Sequence, residues 1–233
     1  NDANDAKTVL AASVKSACPD GMALVPGGDL RSLERGEATR VADFCLDVHE
    51  VTVAELKKTT PLASRTEWGS VDDDWIASKY CNARFSDRDG HPANCVSIEE
   101  ARAHCASRGA RLPGGDEWEW AARGGSSMAT PWGGPVATDE ICWGKPHKRG
   151  GTCPSGDHPK DKTPAGIVDL GGNVSEWTEP PARLHAANGA RFARGASWYA
   201  IDDGYARAAL GGFETPAVRA ETIGFRCAAD PKR

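Results

Sequence analysis

The sequence predicts a single domain with little regular secondary structure, built from short strands and short helices over a disulfide frame. Three observations carry this. Glycine and proline number 26 and 15 in 233 residues, which punctuates the chain too often for long regular elements. Two Ser/Thr-x-x-Glu boxes, Thr52 with Glu55 and Ser97 with Glu100, mark the starts of two helices. Eight cysteines are scattered along the chain without a CxxC pair, which suits bridges better than a zinc ribbon or a thioredoxin-like redox site.

Taken in order, MALVPGGDLRS alternates into a strand and a turn, and VADFCLDVHEVT reads as a strand running into a helix. The first capping box then predicts a helix from Val53 to about Thr59, stopped by Pro61. The second opens SIEEARAHCASRG, with Ile98, Ala101 and Cys105 on one face and Gly109 as the stop. A third helix is predicted from about Asp116 to Arg123, between glycines. Turn-rich chain follows, until a hairpin in RFARGASWY and a final strand in IGFRCAAD. There is no internal repeat.

Composition excludes several classes. Hydrophobic residues at 39% and sixteen aromatics, eight of them Trp, describe a globular chain rather than a disordered one. A net charge of −5 without a basic block argues against nucleic acid and anionic membrane surfaces as partners. No apolar run is long enough for a transmembrane segment. The first residues, NDANDAKT, read as the start of a mature chain whose export signal or lipid anchor has been removed. Eight cysteines allow on the order of a hundred connectivities, and buried reduced thiols are the alternative. Local spacing favours Cys81 with Cys95 and Cys142 with Cys153, because each pair closes a short loop rich in turn residues.

The series GMALVPGG, EVTVAEL, HPANCVSIEEARAHCASRGARLPGGDEWEWAARGG, PWGG, PAGIVDLGGNVSEWTE, ARGASW and IGFRCAAD resembles, in order, the formylglycine-generating enzyme or sulfatase-modifying factor family. The resemblance implies an elaborated C-type-lectin-like fold: a compact α+β domain over residues 18–233, after an N-terminal extension at 1–17. It also implies the pair Cys105 with Cys227, which leaves Cys18 with Cys45. Trp118, Trp120 and Trp177, inside the shared motifs, are then expected in the core.

In active members of the family, two cysteines follow the Gly-Gly-Ser motif and bind copper, and soft thiolates are what select Cu(I). Here the matching stretch, RGASWYAIDDGYARAALGG, contains no cysteine, so the family's oxidation is not expected and neither copper nor iron is implied. Ser197 matches the family's oxygen-binding serine, but a lone serine there more readily bonds nearby backbone in a turn. His49, His91, His104, His147, His158 and His185 show no metal-site spacing. The branch making sulfur-containing histidine betaines takes iron ligands from an extra helical domain, for which these residues leave no room. Asp202 and Asp203, with Asp157 or Glu214, would suit a hard cation, though adjacent acids more often form a solvated turn.

One metal site does transfer. The family holds a structural Ca²⁺ in a turn matched here by GIVDLGGNVSEW, at Asp169, Gly172, Val174 and Glu176, and calcium takes several oxygens at flexible geometry. A second family calcium segment, matching DEICWGKPHKRGGT, has lost its acid and amide pattern. Asn173-Val174-Ser175 is a glycosylation sequon by pattern but is expected buried within the calcium turn.

The leading expectation is a non-catalytic, extracytoplasmic binding module that presents Ser197, Trp198, Tyr199, Asp202, Asp203, Tyr205 and Arg207, with Trp132 and Trp143 nearby, to a protein or peptide, or to a glycan. The alternatives are an enzyme of non-copper-thiolate chemistry using Ser197, Arg207 and Arg226, and a structural subunit of an envelope assembly.

Overall fold

The computed structural model describes residues 17–31, 38–60, 80–126, 128–134, 141–144, 150–181, 191–200, 208, 211–215 and 218–232. The stretch expected to hold one strand and a turn forms two: β1 (Met22–Val25) and β2 (Gly28–Arg31), parted at Pro26-Gly27. Strand β2 pairs with β3 (Ala38–Val41), and β1 pairs antiparallel with β4 (Phe44–Asp47). Every residue of β4 is buried, because it lies between β1 and β9 (Ala228–Ala229) in a three-stranded sheet.

Helix α1 (Val53–Thr59) and helix α2 (Ile98–Ser107) both begin with the reciprocal bonds that their sequence boxes predict. In each, the cap hydroxyl accepts from the glutamate N–H while the glutamate carboxylate accepts from the cap N–H, satisfying donors that a helix start leaves orphaned. Helix α3 (Gly115–Ala122) starts one residue earlier than expected, since Glu117 accepts from the Gly114 N–H at 2.7 Å. Its two tryptophans face inward: Trp118 is completely buried and Trp120 nearly so, with the Trp120 indole N–H on the Pro26 carbonyl.

The second half differs from expectation in two places. RFARGASWY is no hairpin: only Arg191–Arg194 is a strand, β6, which runs between β5 (Ser175–Thr178) and β7 (Gly211–Glu214). Gly195, at φ +84°, turns the chain out of the sheet where a Cβ would press on the Trp118 ring. IGFRCAAD forms two short strands in different sheets, β8 (Ile223–Gly224), parallel to β5, and β9, antiparallel to β4. Phe225, Arg226 and Cys227 lie in the break between them, all three fully buried.

Four bridges tie these layers: Cys18–Cys45, Cys81–Cys95, Cys105–Cys227 and Cys142–Cys153. The third links α2 to the segment between β8 and β9. Beside it Arg108 grips Asp47 with two bonds of 2.8 Å, and Asp47 also accepts the Cys227 N–H. No helix among the described residues is long and apolar enough to cross a membrane.

Candidate functional site

Two neighbouring stretches of irregular backbone hold the residues singled out from sequence. The first runs from Asp169 to Glu176. Asp169 and Asn173 both take φ of +60°, a conformation that Asp and Asn tolerate better than other side chains. Around them the glycines are obligatory: a Cβ on Gly171 would lie 2.5 Å from the Trp132 ring, and one on Gly172 2.6 Å from the Cys142 carbonyl oxygen.

This turn carries an unusual amount of buried charge. Glu176 is fully enclosed, and its carboxylate accepts two bonds of 2.7 Å from Arg226 and a third, also 2.7 Å, from the Trp118 indole. Arg226 has no N–H left, since it also donates to the carbonyls of Asp47, Val48 and Val168. Its place in the enzyme reading is therefore corrected: Arg226 is a core counter-ion, not a groove residue. Three more carboxyl groups share this interior. Asp161 accepts from the Gly171 N–H with both oxygens, Asp169 from the Gly156 N–H, and Glu50 from the Asn173 amide and the Ser155 hydroxyl.

Four buried carboxyls thus face the Arg226 guanidinium, and three of them hold their protons above the usual range. Burial, reinforced by the charge of Asp169, pushes the Asp161 carboxyl well above the usual range. Burial lifts Asp169 to about 6, against the Gly156 bond and Arg226. Glu50 is raised strongly by burial and then by Asp169 and Glu176. Its Oε1 has no hydrogen-bond partner.

The calcium that the family implies can be tested on this arrangement. The donors are all oxygen, the excess charge is negative, and one buried carboxylate oxygen is bare, which is the chemistry a hard divalent cation takes. Glu176 keeps one lone-pair position on Oε1 after its three bonds. Among the described residues no three His, Cys, Asp or Glu side chains cluster as a metal site, so main-chain carbonyls would have to supply much of the shell. Asn173, only 1% exposed, holds the turn together: its side chain bonds Glu50 and the Cys153 N–H, which removes the sequon from solvent.

The second stretch is 194–200. Ser197 lies at the edge of burial, and its oxygens accept from the Tyr199 and Ala200 N–H groups, so it shapes a local turn. Trp198 was expected on an exposed recognition surface and is instead buried, at 3% exposure. It packs on the Cys142–Cys153 bridge and on Tyr80 at 5.0 Å, and its indole N–H reaches the Glu221 carbonyl. A flat apolar ring beside a buried bridge gains more from packing than from exposure. Trp143 is likewise buried, in a cluster with Ile141, Ala196 and Ala200 against which Trp132 packs. Tyr199, by contrast, projects at 67% exposure. Asp202, Asp203, Tyr205 and Arg207 lie outside the described residues.

A groove of about 350 Å³ opens over the β7-β6-β5-β8 sheet, lined by Ser175, Gly195, Gly211, Gly212, Glu214 and Thr222 among others. The small side chains make the depression, and Glu214 supplies its acid, its carboxyl raised by burial. Sequence reasoning missed Glu50, Asp161 and this groove, while the burial of Asn173 was expected. For Glu50 the available signal was slight, an acid between His49 and Val51 in a strand-to-helix junction that also holds Asp47 and Thr52.

The fold and site together define a disulfide-framed, C-type-lectin-like α+β domain with an acidic interior turn. The family model for the sulfatase-modifying factor enzyme 1-like domain matches residues 7–231, and the chain belongs to that family. It is 37% identical over 155 residues to "Inactive C-alpha-formylglycine-generating enzyme 2" of Bos taurus, covering 61% of this chain and 51% of that protein. It is 33% identical over 192 residues to "Formylglycine-generating enzyme" of Thermomonospora curvata, covering 67% of this chain and 61% of that one. The chain spans about half the length of the first of these relatives. The solved structure of PvdO from Pseudomonas aeruginosa shares the fold, with a TM-score of 0.68 at 22% identity, over 90% of this chain and 94% of that one.

Proposed function

We propose that this domain is a non-catalytic member of its family, a calcium-stabilised binding module that works outside the cytoplasm and takes a protein or peptide in the groove over the β7-β6-β5-β8 sheet. The observation that carries the reading is the fate of the thiols. All eight cysteines are in bridges, none is free, and the sequence has no other cysteine to ligate copper. A relative whose name calls it inactive supports the same conclusion. Four disulfides favour an oxidising compartment.

A groove floored by glycine and alanine admits an extended main chain, and the half-buried Glu214 would select a basic or amide-bearing side chain. Tyr199, with Asp202, Asp203, Tyr205 and Arg207 beyond it, supplies adaptable contacts at low entropy cost. Calcium, bound at Asp169, Gly172, Val174 and Glu176, would contribute charge neutralisation and rigidity rather than reactivity.

Metal analysis of the purified protein, paired with oxygen uptake on a Cys-x-Pro-x-Arg peptide, tests this. Stoichiometric calcium without oxygen consumption is expected. Copper or iron at stoichiometry, or turnover of the peptide, would overturn the reading in favour of an enzyme. A glycan rather than a peptide retained on ligand arrays would correct the partner class.

A further inference from the structure

The sheet edges of this domain are finished differently. Strand β9 is closed by Arg111, whose N–H and carbonyl exchange bonds of 2.9 and 2.7 Å with Ala228, and β8 is buried along its length. The β2–β3 ribbon is exposed but carries the Asp29–Arg40 ion pair, and charge of this sort discourages further pairing. Strand β7 has neither protection. It ends the β7-β6-β5-β8 sheet with Gly211, Gly212 and Phe213 exposed and Glu214 half-buried. Pairing with β6 engages the N–H and C=O groups of every second residue, and those between point away from the sheet. Among the described residues no main-chain group bonds to them.

Two side chains show what would suit this open edge. Glu214 lines the groove with Gly212, and burial raises its carboxyl with no cation acting on it to offset the cost. Phe213 falls on the opposite face of the strand and is 51% exposed, although it meets Phe192 edge-on at 5.1 Å. A strand laid beside β7 would set alternate side chains against these two, a cation against Glu214 and an apolar group against Phe213. A second copy of β7 would bring another carboxylate and no cation.

We propose that β7 is a docking edge for an extended segment of another protein, which joins the sheet as an added strand and presents a Lys or Arg to Glu214 with an apolar residue next to it in sequence. This rests on the peptide-binding reading above. Main-chain bonds to β7 supply the affinity, and the alternation of Phe213 and Glu214 supplies the selectivity. The groove then receives the cationic side chain, since Gly211, Gly212 and Glu214 are its β7 wall.

The test sets the whole chain against a positional-scanning array of seven-residue peptides, followed by anisotropy titration of the tightest binder. Lys or Arg beside an apolar residue is expected among the retained peptides. An N-methyl scan of that binder should lose about tenfold or more in affinity at alternate amides and little at those between, because only one edge of a strand bonds to β7. In E214Q the affinity should fall about tenfold and the preference for Lys or Arg should vanish, with the alternating N-methyl pattern kept. A scan without alternation, or an unchanged preference in E214Q, would overturn the docking edge while leaving peptide binding standing. Retention of no peptide would overturn both. Dimerisation of the free protein that Gly212→Pro abolishes would assign the edge to a second copy and likewise overturn the proposal.

Discussion

The 169–176 turn and the 194–200 segment lie against each other, joined by the Trp198 N–H on the Asn173 carbonyl at 2.7 Å. They solve opposite problems. The first gathers more carboxylates than its one guanidinium can neutralise and surrounds them with Trp118, Gly171 and Gly172. The second starts at Arg194, which is paired with Glu119, turns at Gly195 and then fills its interior with Ala196, Trp198 and Ala200, with no charged side chain among 195–200. Active members of this family are expected to carry reactive thiols after the residue matching Ser197; here residues 198–212 contain no cysteine, and the described part, 198–200, is mostly hydrophobic packing. Support for a site and reactivity within it are therefore separable, because the charged turn is held by its own bonds.

Several measurements would break or sharpen that contrast. Removing the bridge of longest sequence separation should matter most. Cys105→Ser with Cys227→Ser opens a loop of 122 residues and is expected to cost about 4 to 5 kcal/mol in denaturant unfolding, in the chain-entropy account. Next comes Arg226→Met, which strands Glu176 in the interior and is expected to lose about 3 to 5 kcal/mol. Adding Glu176→Gln should recover part of that loss, and no recovery would mean that Arg226 acts through its carbonyl bonds instead. Trp198→Ala should cost about 3 kcal/mol or more, as expected for a buried ring. Tyr199→Ala, one residue away and exposed, should stay within about 0.5 kcal/mol while weakening partner binding. Equal stability losses at the two positions would contradict the packing assigned to Trp198.

The smallest expected effect is a pH dependence. Burial, with Arg108 nearby, holds the His104 imidazole below its ordinary value of 6.5, against Asp47 and Glu55. Its Nε2 has no partner, while Nδ1 meets the Thr59 hydroxyl at 2.6 Å. The unfolded chain therefore binds the proton more readily than the fold does. The contribution of His104 to stability should be full above about pH 6.5 and be lost as pH drops below it, levelling once the folded-state value is passed, while the raised carboxyls of Asp161, Asp169 and Glu50 act in the opposite direction. Thermal melts of His104→Gln should show a shallower decline over the same interval, and an identical decline would assign it to other groups.

How much of this was legible in the sequence depended on the range of the interaction. The starts of α1 and α2 could be read because a capping box is a local device: Thr52 with Glu55 and Ser97 with Glu100 meet within one turn of helix. Gly-Ile-Val-Asp-Leu-Gly-Gly-Asn marked a tight turn for the same reason. The hairpin expected in RFARGASWY failed because Gly195 meets Trp118, a neighbour that no local pattern reveals. Trp198 was misplaced on the surface for a similar reason, since the bridge that covers it comes from residues 142 and 153.

By itself the sequence determined a loop-rich, bridged domain of a recognisable family and the absence of thiols after Ser197, because composition, short spacings and an ordered set of motifs are properties of the chain. Only the tertiary structure decided which charges are balanced. Glu50, Asp161, Asp169, Glu176 and Arg226 come from separate segments, and whether a buried carboxylate has a partner is a property of the space they share.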